Sequence, residues 1–232
     1  MSTTTHTATR DSHVHLPVGR VTLDGDLSIP AGATSLVLFA HGSGSSRLSP
    51  RNIQVARGLQ DAGLATLLFD LLTQEEGAED AFTGHLRFDI ELLARRLLAV
   101  TDLMSEGFAG QSWRLGYFGA STGAAAALIA ASHRPDTVHA VVSRGGRPDL
   151  AGTALSAVLA PTLLIVGEYD RVVIDLNRDA FERLWCIKRL DIVPRATHLF
   201  EEPGALEEVT RLARGWFEHH LMKPAAHQQA DR

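Results

Sequence analysis

The sequence predicts an α/β fold with a mostly parallel, twisted sheet and helices on both of its faces. Short continuous apolar runs, typical of strands that are covered on both sides, alternate along the chain with longer segments of helical periodicity. This alternation is typical of parallel strands joined by helical crossovers. With 232 residues and 45% hydrophobic content, the chain can bury one substantial core. We therefore expect a single domain over residues 16–222, without a large cap domain.

The first half of the chain predicts an edge hairpin followed by two buried strands. Residues 13–29 alternate apolar and polar side chains around glycines, which is typical of a β-hairpin. The stretch from Asp70 to His85 is acidic and irregular, so we expect a loop there, and the longer stretch Asp70 to Asp89 is a candidate pocket lid. The other elements predicted here are strands over 36–40 and 64–69 and helices over 51–62 and 86–104.

The second half continues the alternation of strand and helix, and no internal repeat interrupts it. Its predicted strands are 113–118, 138–143, 161–167 and 188–193, and its predicted helices are 122–133, 171–185 and 205–221. Both ends of the chain are polar. We expect residues 1–15 to form a flexible N-terminal segment and residues 223–232 a flexible C-terminal tail.

Charge and composition exclude several classes of partner. The formal net charge of −5 argues against a nucleic-acid or anionic-membrane surface, because such surfaces depend on clustered positive charge. The start of the chain lacks the apolar region of a secretion signal, and no apolar run reaches the ~20 residues of a membrane helix. A lone cysteine, Cys186, fits a reducing compartment. The sequence therefore predicts a cytoplasmic protein that is a monomer or a homodimer.

A short motif supplies the candidate nucleophile. Residues 119–123 read Gly-Ala-Ser-Thr-Gly, between an apolar strand and an alanine-rich helix. A serine at such a strand-to-helix turn is exposed on a strained backbone, and the flanking Gly119 and Gly123 allow close packing. Ser121 is thus the candidate nucleophile. The alternative for the motif alone is a glycine-bearing turn with an incidental serine.

The exits of the last two predicted strands supply an acid and a base. Asp170 follows the strand 161–167, and His198 follows the strand 188–193. Because a serine hydroxyl is a poor nucleophile, His198 would take its proton, and Asp170 would orient the imidazole. The order Ser, Asp, His is that of α/β-hydrolases. Glu168 is the reserve acid, and the alternative for Asp170 is a helix N-cap ahead of residues 171–185.

A loop rich in glycine and serine follows the strand 36–40 and is a candidate oxyanion hole. We expect the backbone N–H of Thr122 and that of Ser43 to be the donors, with Gly42 close by. A phosphate cradle is the alternative, but the G-x-x-x-x-G-K-[ST] pattern is absent. The histidines lack HExxH spacing and there is one cysteine, so the sequence predicts no metal site, and we expect no cofactor.

These motifs resemble the α/β-hydrolase superfamily, and within it the dienelactone hydrolase-like family. The resemblance covers roughly residues 20–221 and depends on the ordered motifs HGSGSSR, GASTG, VGEYD and ATHLF. Dienelactone hydrolases proper carry a cysteine nucleophile, whereas this chain has Ser121. The resemblance therefore implies hydrolysis of small carboxylic esters more than lactone opening as such. It also implies a promiscuity that extends to aryl esters, lactones and organophosphate triesters.

Three residues near the predicted site are candidates for substrate binding: His41, Arg47 and Arg144. Arginine forks bind carboxylate or phosphate, so the two arginines raise the hypothesis of an anionic substrate. The alternative is that they pair with acids such as Asp70, Glu75 or Glu76, while His41 orders its loop through hydrogen bonds. Two rival functions remain at this point: an acyltransferase or peptidase with the same triad, and a non-catalytic binding protein that keeps the fold.

Overall fold

An eight-stranded open sheet runs through the part of the chain that the computed structural model describes, residues 9–222. Its strands are β1 (Thr9–Val18), β2 (Val21–Pro30), β3 (Ser35–Ala40), β4 (Ala65–Phe69), β5 (Arg114–Ala120), β6 (Val138–Arg144), β7 (Thr162–Gly167) and β8 (Lys188–Val193). Its helices are α1 (Pro50–Gln60), α2 (Gln74–Thr83), α3 (Ile90–Ser105), α4 (Thr122–His133), α5 (Arg171–Arg183) and α6 (Ala205–His220). Short 3-10 segments cover Leu86–Phe88, Phe108–Gly110 and Pro148–Ala157.

The strand order is β1-β2-β4-β3-β5-β6-β7-β8. All neighbours from β4 to β8 run parallel, and β2 pairs antiparallel with both β1 and β4. The predicted α/β class with a mostly parallel sheet is confirmed. Because the parallel strands point the same way, the loops that follow β3, β5, β6, β7 and β8 gather at one edge of the sheet.

The edge hairpin is longer than expected. Strand β1 begins at Thr9, which pairs with Pro30, and its register continues to the turn at Gly19. The prediction of a flexible segment over residues 1–15 is therefore wrong for residues 9–15. Their polar composition reflects an edge strand whose side chains are largely exposed while its backbone bonds to β2. Residues 1–8 and the predicted tail 223–232 lie outside the described residues.

The acidic stretch after β4 is a helix, α2, and not the irregular loop that the sequence suggested. Thr73 caps it: its hydroxyl accepts the Glu76 N–H, while the Glu76 carboxylate accepts the Thr73 N–H. Gly84 ends the helix in the left-handed conformation, φ 69°. This capping box was the sequence signal for the helix, and the absence of an apolar stripe hid it.

Two apolar layers cover the sheet. One packs its strands against α3, α4 and the 3-10 segment 148–157, and the other packs them against α1 and α6. Helix α4 is the most enclosed, since every residue from Thr122 to Ala131 is buried. This burial fixes the N-terminus of α4 at the edge of the sheet where the loops gather and the candidate site lies. Over residues 9–222, no helix combines the length and the apolar character needed to cross a bilayer.

Candidate active site

Ser121 occupies a strained turn between β5 and α4. Its backbone lies at φ 50° and ψ −121°, a region that non-glycine residues rarely adopt. A Cβ atom on Gly123 would lie 2.2 Å from the Ala40 carbonyl oxygen, and one on Gly119 would lie 2.5 Å from the Ala124 Cα. Only glycine fits at these two positions. The predicted strand, elbow and helix are therefore present around the serine.

The elbow is tied to the loop that follows β6. The Ser121 N–H donates to the Arg144 carbonyl oxygen at 3.2 Å, and the Ser121 carbonyl oxygen accepts the Arg147 N–H at 3.1 Å. A third bond, from the Ala124 N–H to the Ser121 carbonyl oxygen, measures 3.1 Å and starts α4. The strained backbone is thus held on both sides, which offsets the conformational cost of its dihedral angles.

Asp170 and His198 form a hydrogen-bonded pair. The distance from His198 Nδ1 to Asp170 Oδ2 is 2.6 Å, and since a carboxylate only accepts, Nδ1 is the donor. The Asp170 side chain is 15% exposed and that of His198 is 40% exposed. Asp170 stands at the N-cap position of α5, but its carboxylate accepts no backbone N–H of the helix, so the carboxylate acts on His198 and not as a side-chain cap. Nε2 of His198 is left to act as a base.

The loop that carries His198 is shaped by the residues after β7. Glu168 Oε2 accepts the Arg195 N–H at 2.7 Å, and the Tyr169 N–H donates to the Ala196 carbonyl oxygen at 2.9 Å. A Cβ atom on Gly167 would meet that same Ala196 oxygen at 2.4 Å, so glycine is required where the two loops cross. Glu168, the reserve acid, therefore supports the loop and does not contact the imidazole.

The His198 imidazole packs against Gly145, in the loop that is bonded to the Ser121 elbow. A Cβ atom on Gly145 would lie 3.5 Å from His198 Cε1, and Gly145 directly follows Arg144, whose carbonyl oxygen holds the Ser121 N–H. Gly145 was not among the residues predicted to form the site, although the pair Gly145-Gly146 directly after β6 was a visible signal. Within residues 9–222 Ser121 Oγ forms no hydrogen bond, and the side-chain hydrogen bond of His198 is to Asp170.

The candidate oxyanion loop lies against the elbow. A Cβ atom on Gly42 would lie 2.9 Å from the Ser121 Cβ, so this glycine permits the close approach of the two segments. The Ser43 N–H donates to Thr122 Oγ1 at 2.9 Å. The Thr122 N–H belongs to the first turn of α4, where amides have no partner within the helix. The three predicted residues are thus together, but the Ser43 amide is engaged by the Thr122 hydroxyl.

His41 links two loops and does so as a neutral ring. Its Nε2 accepts the Leu71 N–H at 3.0 Å, so the ring proton is on Nδ1, which donates to the Gly42 carbonyl oxygen at 3.0 Å. Burial lowers the pKa of this imidazole, which keeps it uncharged. Because both nitrogens are used by the backbone, neither is available to bond a substrate, and the expectation that His41 binds substrate stays a prediction. His41 orders the loop, as the alternative held.

Arg47 and Arg144, the arginines of the anionic-substrate hypothesis, both have partners within the protein. Arg47 lies 2.5 Å from Asp70 and 3.2 Å from Asp26, so the alternative of a paired arginine holds for it. Arg144 is buried, and its Nη2 donates to Asn52 Oδ1 at 3.3 Å. Burial lowers the pKa of Arg144 to about 10, and within residues 9–222 no carboxylate pairs with it.

A cavity of about 650 Å³ lies beside the elbow, between the loop after β3 and helix α2. Its lining includes His41, Gly42 and Ser43, whereas Ser121, Asp170, His198 and Arg144 are not among the lining residues. Gly42 joins the two regions, because it lines the cavity and also packs against Ser121. The cavity is of the size that small-molecule sites occupy.

Helix α2 forms one wall of this cavity and is fixed to the body of the protein. Thr73, Gln74 and Gly77 line the space. The buried Arg96 of α3 donates to both carboxylate oxygens of Glu76 and to the Leu71 carbonyl oxygen. Part of the segment predicted as a lid therefore lines the cavity as an anchored helix, and its role as a lid stays a prediction.

Comparison with known proteins defines the family. No protein-family model matches the chain. The crystal structure of a dienelactone hydrolase from Anabaena variabilis is 62% identical, with a TM-score of 0.91, over 92% of this chain and 99% of that one. The chain belongs to the dienelactone hydrolase-like family. The resemblance inferred from the four motifs is thereby confirmed, and the α/β-hydrolase fold with it.

More distant structures share the fold alone. Est1E from Butyrivibrio proteoclasticus is 16% identical with a TM-score of 0.74, covering 89% of this chain and 98% of that one. The dienelactone hydrolase-like promiscuous phosphotriesterase P91, from metagenomic libraries, is 18% identical with a TM-score of 0.74, covering 93% and 100%.

Curated relatives in two strains of Mycobacterium tuberculosis are longer proteins. Each is 54% identical over 215 residues, which make up 93% of this chain and 48% of the relative. Both relatives are provisionally named phosphoribosyl transferases. This dienelactone hydrolase-like chain thus spans about half the length of the curated relatives that it matches.

Proposed function

We propose that this chain is a serine hydrolase that cleaves small carboxylic esters or lactones, with Ser121 as the nucleophile. The observation that carries the proposal is the 2.6 Å hydrogen bond between His198 and Asp170, on a loop that reaches Gly145 beside the Ser121 elbow. An imidazole held in this tautomer presents Nε2 as a base. Family membership supports hydrolysis as the reaction class.

The chemistry follows from these positions. Nε2 of His198 takes the Ser121 proton while Oγ attacks the substrate carbonyl carbon, and the resulting imidazolium is stabilised by the Asp170 carboxylate. The imidazolium then gives its proton to the leaving alkoxide, which departs as the alcohol. A water molecule, deprotonated by the same imidazole, attacks the acyl-enzyme and releases the acid and the serine.

The developing oxyanion is stabilised by backbone amides of two segments. The Thr122 N–H is the first donor, because it stands at the N-terminus of α4, where the helix dipole also favours negative charge. The Ser43 N–H is the second donor, and it exchanges its bond with Thr122 Oγ1 for the oxyanion. The bond to the hydroxyl places the amide beside the elbow before substrate arrives.

The charges of the cavity favour neutral substrates. Its two arginines are both paired, Arg47 with Asp70 and Arg87 with Asp80. Arg144, which has no carboxylate partner in the described chain, does not line the cavity. We therefore propose uncharged esters, aryl esters and lactones as the main substrates, with neutral organophosphate triesters as slower ones.

Hydrolysis of p-nitrophenyl acetate and labelling by a fluorophosphonate probe test the proposal. We expect Ser121→Ala to lose about 10³-fold or more in kcat and all labelling. The control Ser156→Ala, an exposed serine in the 3-10 segment 148–157, keeps both. A matched ester that carries a carboxylate should show a lower kcat/KM than the neutral ester.

The proposal fails if Ser121→Ala keeps the wild-type rate and labelling, or if wild type shows neither. Transfer of the acyl group to an added amine or alcohol in preference to water would instead identify an acyltransferase. Cleavage of peptides faster than esters would identify a peptidase. If the folded wild type binds a ligand without turning it over, the chain is instead a non-catalytic binding protein.

A further inference from the structure

The outer face of the β1–β2 hairpin carries a cluster of metal-ligating side chains away from the elbow. His13 and His15 are separated by one residue of β1, so both imidazoles are on the same face of the strand. In the antiparallel register His15 stands opposite Asp24 and His13 opposite Asp26. The four side chains are between 42% and 70% exposed and therefore open to an ion from solvent.

Three donor atoms in this cluster converge on one point. One ligand atom each from His13, His15 and Asp24 lie within 4.8 Å of one another. His15 Nδ1 is 2.9 Å and His13 Nε2 is 3.5 Å from the same Asp24 oxygen, Oδ1. In a tetrahedral site with metal–ligand bonds of about 2.0–2.2 Å, neighbouring ligand atoms stand roughly 3.3 Å apart. The distances of 2.9 and 3.5 Å to Asp24 Oδ1 lie on either side of this spacing, so the three atoms are within reach of one small divalent ion.

The tautomer of His13 also suits a metal. Its Nδ1 lies 2.9 Å from Asp26 Oδ1, and since a carboxylate only accepts, the ring proton is on Nδ1. Nε2 faces the Asp24 oxygen at 3.5 Å, where an imidazolium would donate to the carboxylate and a neutral ring would offer its lone pair to a cation that the carboxylate also binds. A carboxylate that holds the far nitrogen of an imidazole is the usual support of a metal-ligating histidine.

Local charge favours a cation at this point. Three carboxylates, Asp24, Asp26 and Asp70, surround a single guanidinium, that of Arg47, which contacts Asp26 and Asp70. Asp24 offers its oxygen to the histidines and also lines the cavity beside the elbow. An ion bound here would stand at the rim of that cavity and link the edge strand β1 to β2.

We propose that His13, His15 and Asp24 form a zinc site, with Asp26 as a positioning residue that orients His13. Two imidazoles and one carboxylate suit Zn²⁺, Ni²⁺ or Cu²⁺ and do not suit Mg²⁺ or Ca²⁺, which prefer oxygen ligands throughout. A fourth position stays open to water. On binding, His15 changes tautomer: it releases the Nδ1 proton to water and takes up a proton from water at Nε2. The imidazole therefore stays neutral while Nδ1 binds the ion.

Isothermal titration of the full chain, purified without an affinity tag, with ZnCl₂ at pH 7.5 tests the site. We expect one Zn²⁺ per chain in the wild type and in the control His133→Ala, an exposed histidine at the end of α4. His15→Ala and Asp24→Asn should each weaken Kd by about tenfold or more, and Asp26→Asn by about 10- to 100-fold through the orientation of His13. MgCl₂ should give no heat of binding.

Thermal unfolding supplies a second measurement. Zn²⁺ should raise the Tm of wild type and of His133→Ala, because it binds only the folded hairpin, and should leave the Tm of the double variant His13→Ala/His15→Ala unchanged. If the double variant does not fold, the single variant His13→Gln takes its place. Wild-type zinc affinity and the same Tm increase in either variant would overturn the proposal.

Discussion

At the residue scale, the two acids that follow β7 are distinguished by their hydrogen-bond partners. The Asp170 carboxylate accepts from His198, whereas Glu168, two residues earlier, accepts the Arg195 N–H of the loop that carries the histidine. The two carboxylates thus support the same imidazole in different ways. Asp170 fixes its tautomer, and Glu168 fixes the path of the backbone that delivers it.

Substitution of the two acids by their amides distinguishes these roles. We expect Asp170→Asn to lower kcat about 10³- to 10⁴-fold, because an amide can hold the wrong tautomer and cannot stabilise the imidazolium. Glu168→Gln keeps an oxygen that accepts the Arg195 N–H, so kcat should fall less than tenfold. The measurement is the rate on p-nitrophenyl acetate. Equal losses in the two variants would contradict the assignment of Asp170.

At the scale of an element, the position of α2 depends on a partly buried ion pair. Arg96 is buried, and its guanidinium lies 2.5 Å from the Glu76 carboxylate, which also closes the capping box of α2. The Arg96 guanidinium holds the pKa of that carboxyl below its ordinary value of 4.5. Its contribution to stability is therefore present above pH 4.5 and lost as the pH falls through the lowered pKa.

Glu76→Gln tests how firmly α2 is held. The variant keeps the N-cap hydrogen bond but leaves the Arg96 charge buried without a partner, so we expect a loss of about 1–3 kcal/mol in the free energy of unfolding. Hydrogen exchange should be fastest in α2 and its flanks. The matched control is Glu75→Gln, an exposed residue of the same turn, which should change stability by less than about 0.5 kcal/mol. Equal urea midpoints for the two variants would contradict this anchoring.

At the scale of the whole molecule, α4 lies at the centre of one of the two apolar layers, the layer that also contains α3. It packs against β5, β6, α3 and the 3-10 segment 148–157, and alanines make up most of its buried length. Small side chains let these elements approach closely. This packing sets the position of the α4 N-terminus, and with it that of Ser121, at the edge of the sheet. The position of the Ser121 elbow therefore depends on packing along the whole helix.

Ala127→Leu tests this dependence. Ala127 is fully buried, so the added carbons have no free space, and we expect a loss of about 1–3 kcal/mol with a reduced esterase rate. Ala78→Leu, on the exposed face of α2, is the control and should leave stability within about 0.5 kcal/mol. Urea unfolding gives the stability, and p-nitrophenyl acetate gives the rate. If Ala127→Leu keeps wild-type stability and activity, the packing around α4 has space for the larger side chain and the prediction is contradicted.

Predictions from the sequence held where the signal lies within a few neighbouring residues. The strands, the helices apart from α2 and the Ser121 elbow follow from local apolar periodicity and from glycines at fixed offsets. The sequence did not point to the cluster that we propose as a zinc site, because the histidines were compared with helical HExxH spacing. On a strand the same face recurs every second residue, as His13 and His15 do, and Asp24 joins them only through the hairpin register.

The sequence by itself thus determined the fold class, the order of the elements apart from α2, and a serine at a strained elbow. The sequence predicted that Asp170 would meet His198, and the structure shows this hydrogen bond. Only the tertiary structure decided the alternatives that were open for Arg47, which pairs with Asp70, and for His41, which accepts the Leu71 N–H. The physical reason is the range of the interactions. Periodicity and turn chemistry act within a few residues, whereas each of these pairs is joined by elements that must first pack against the sheet.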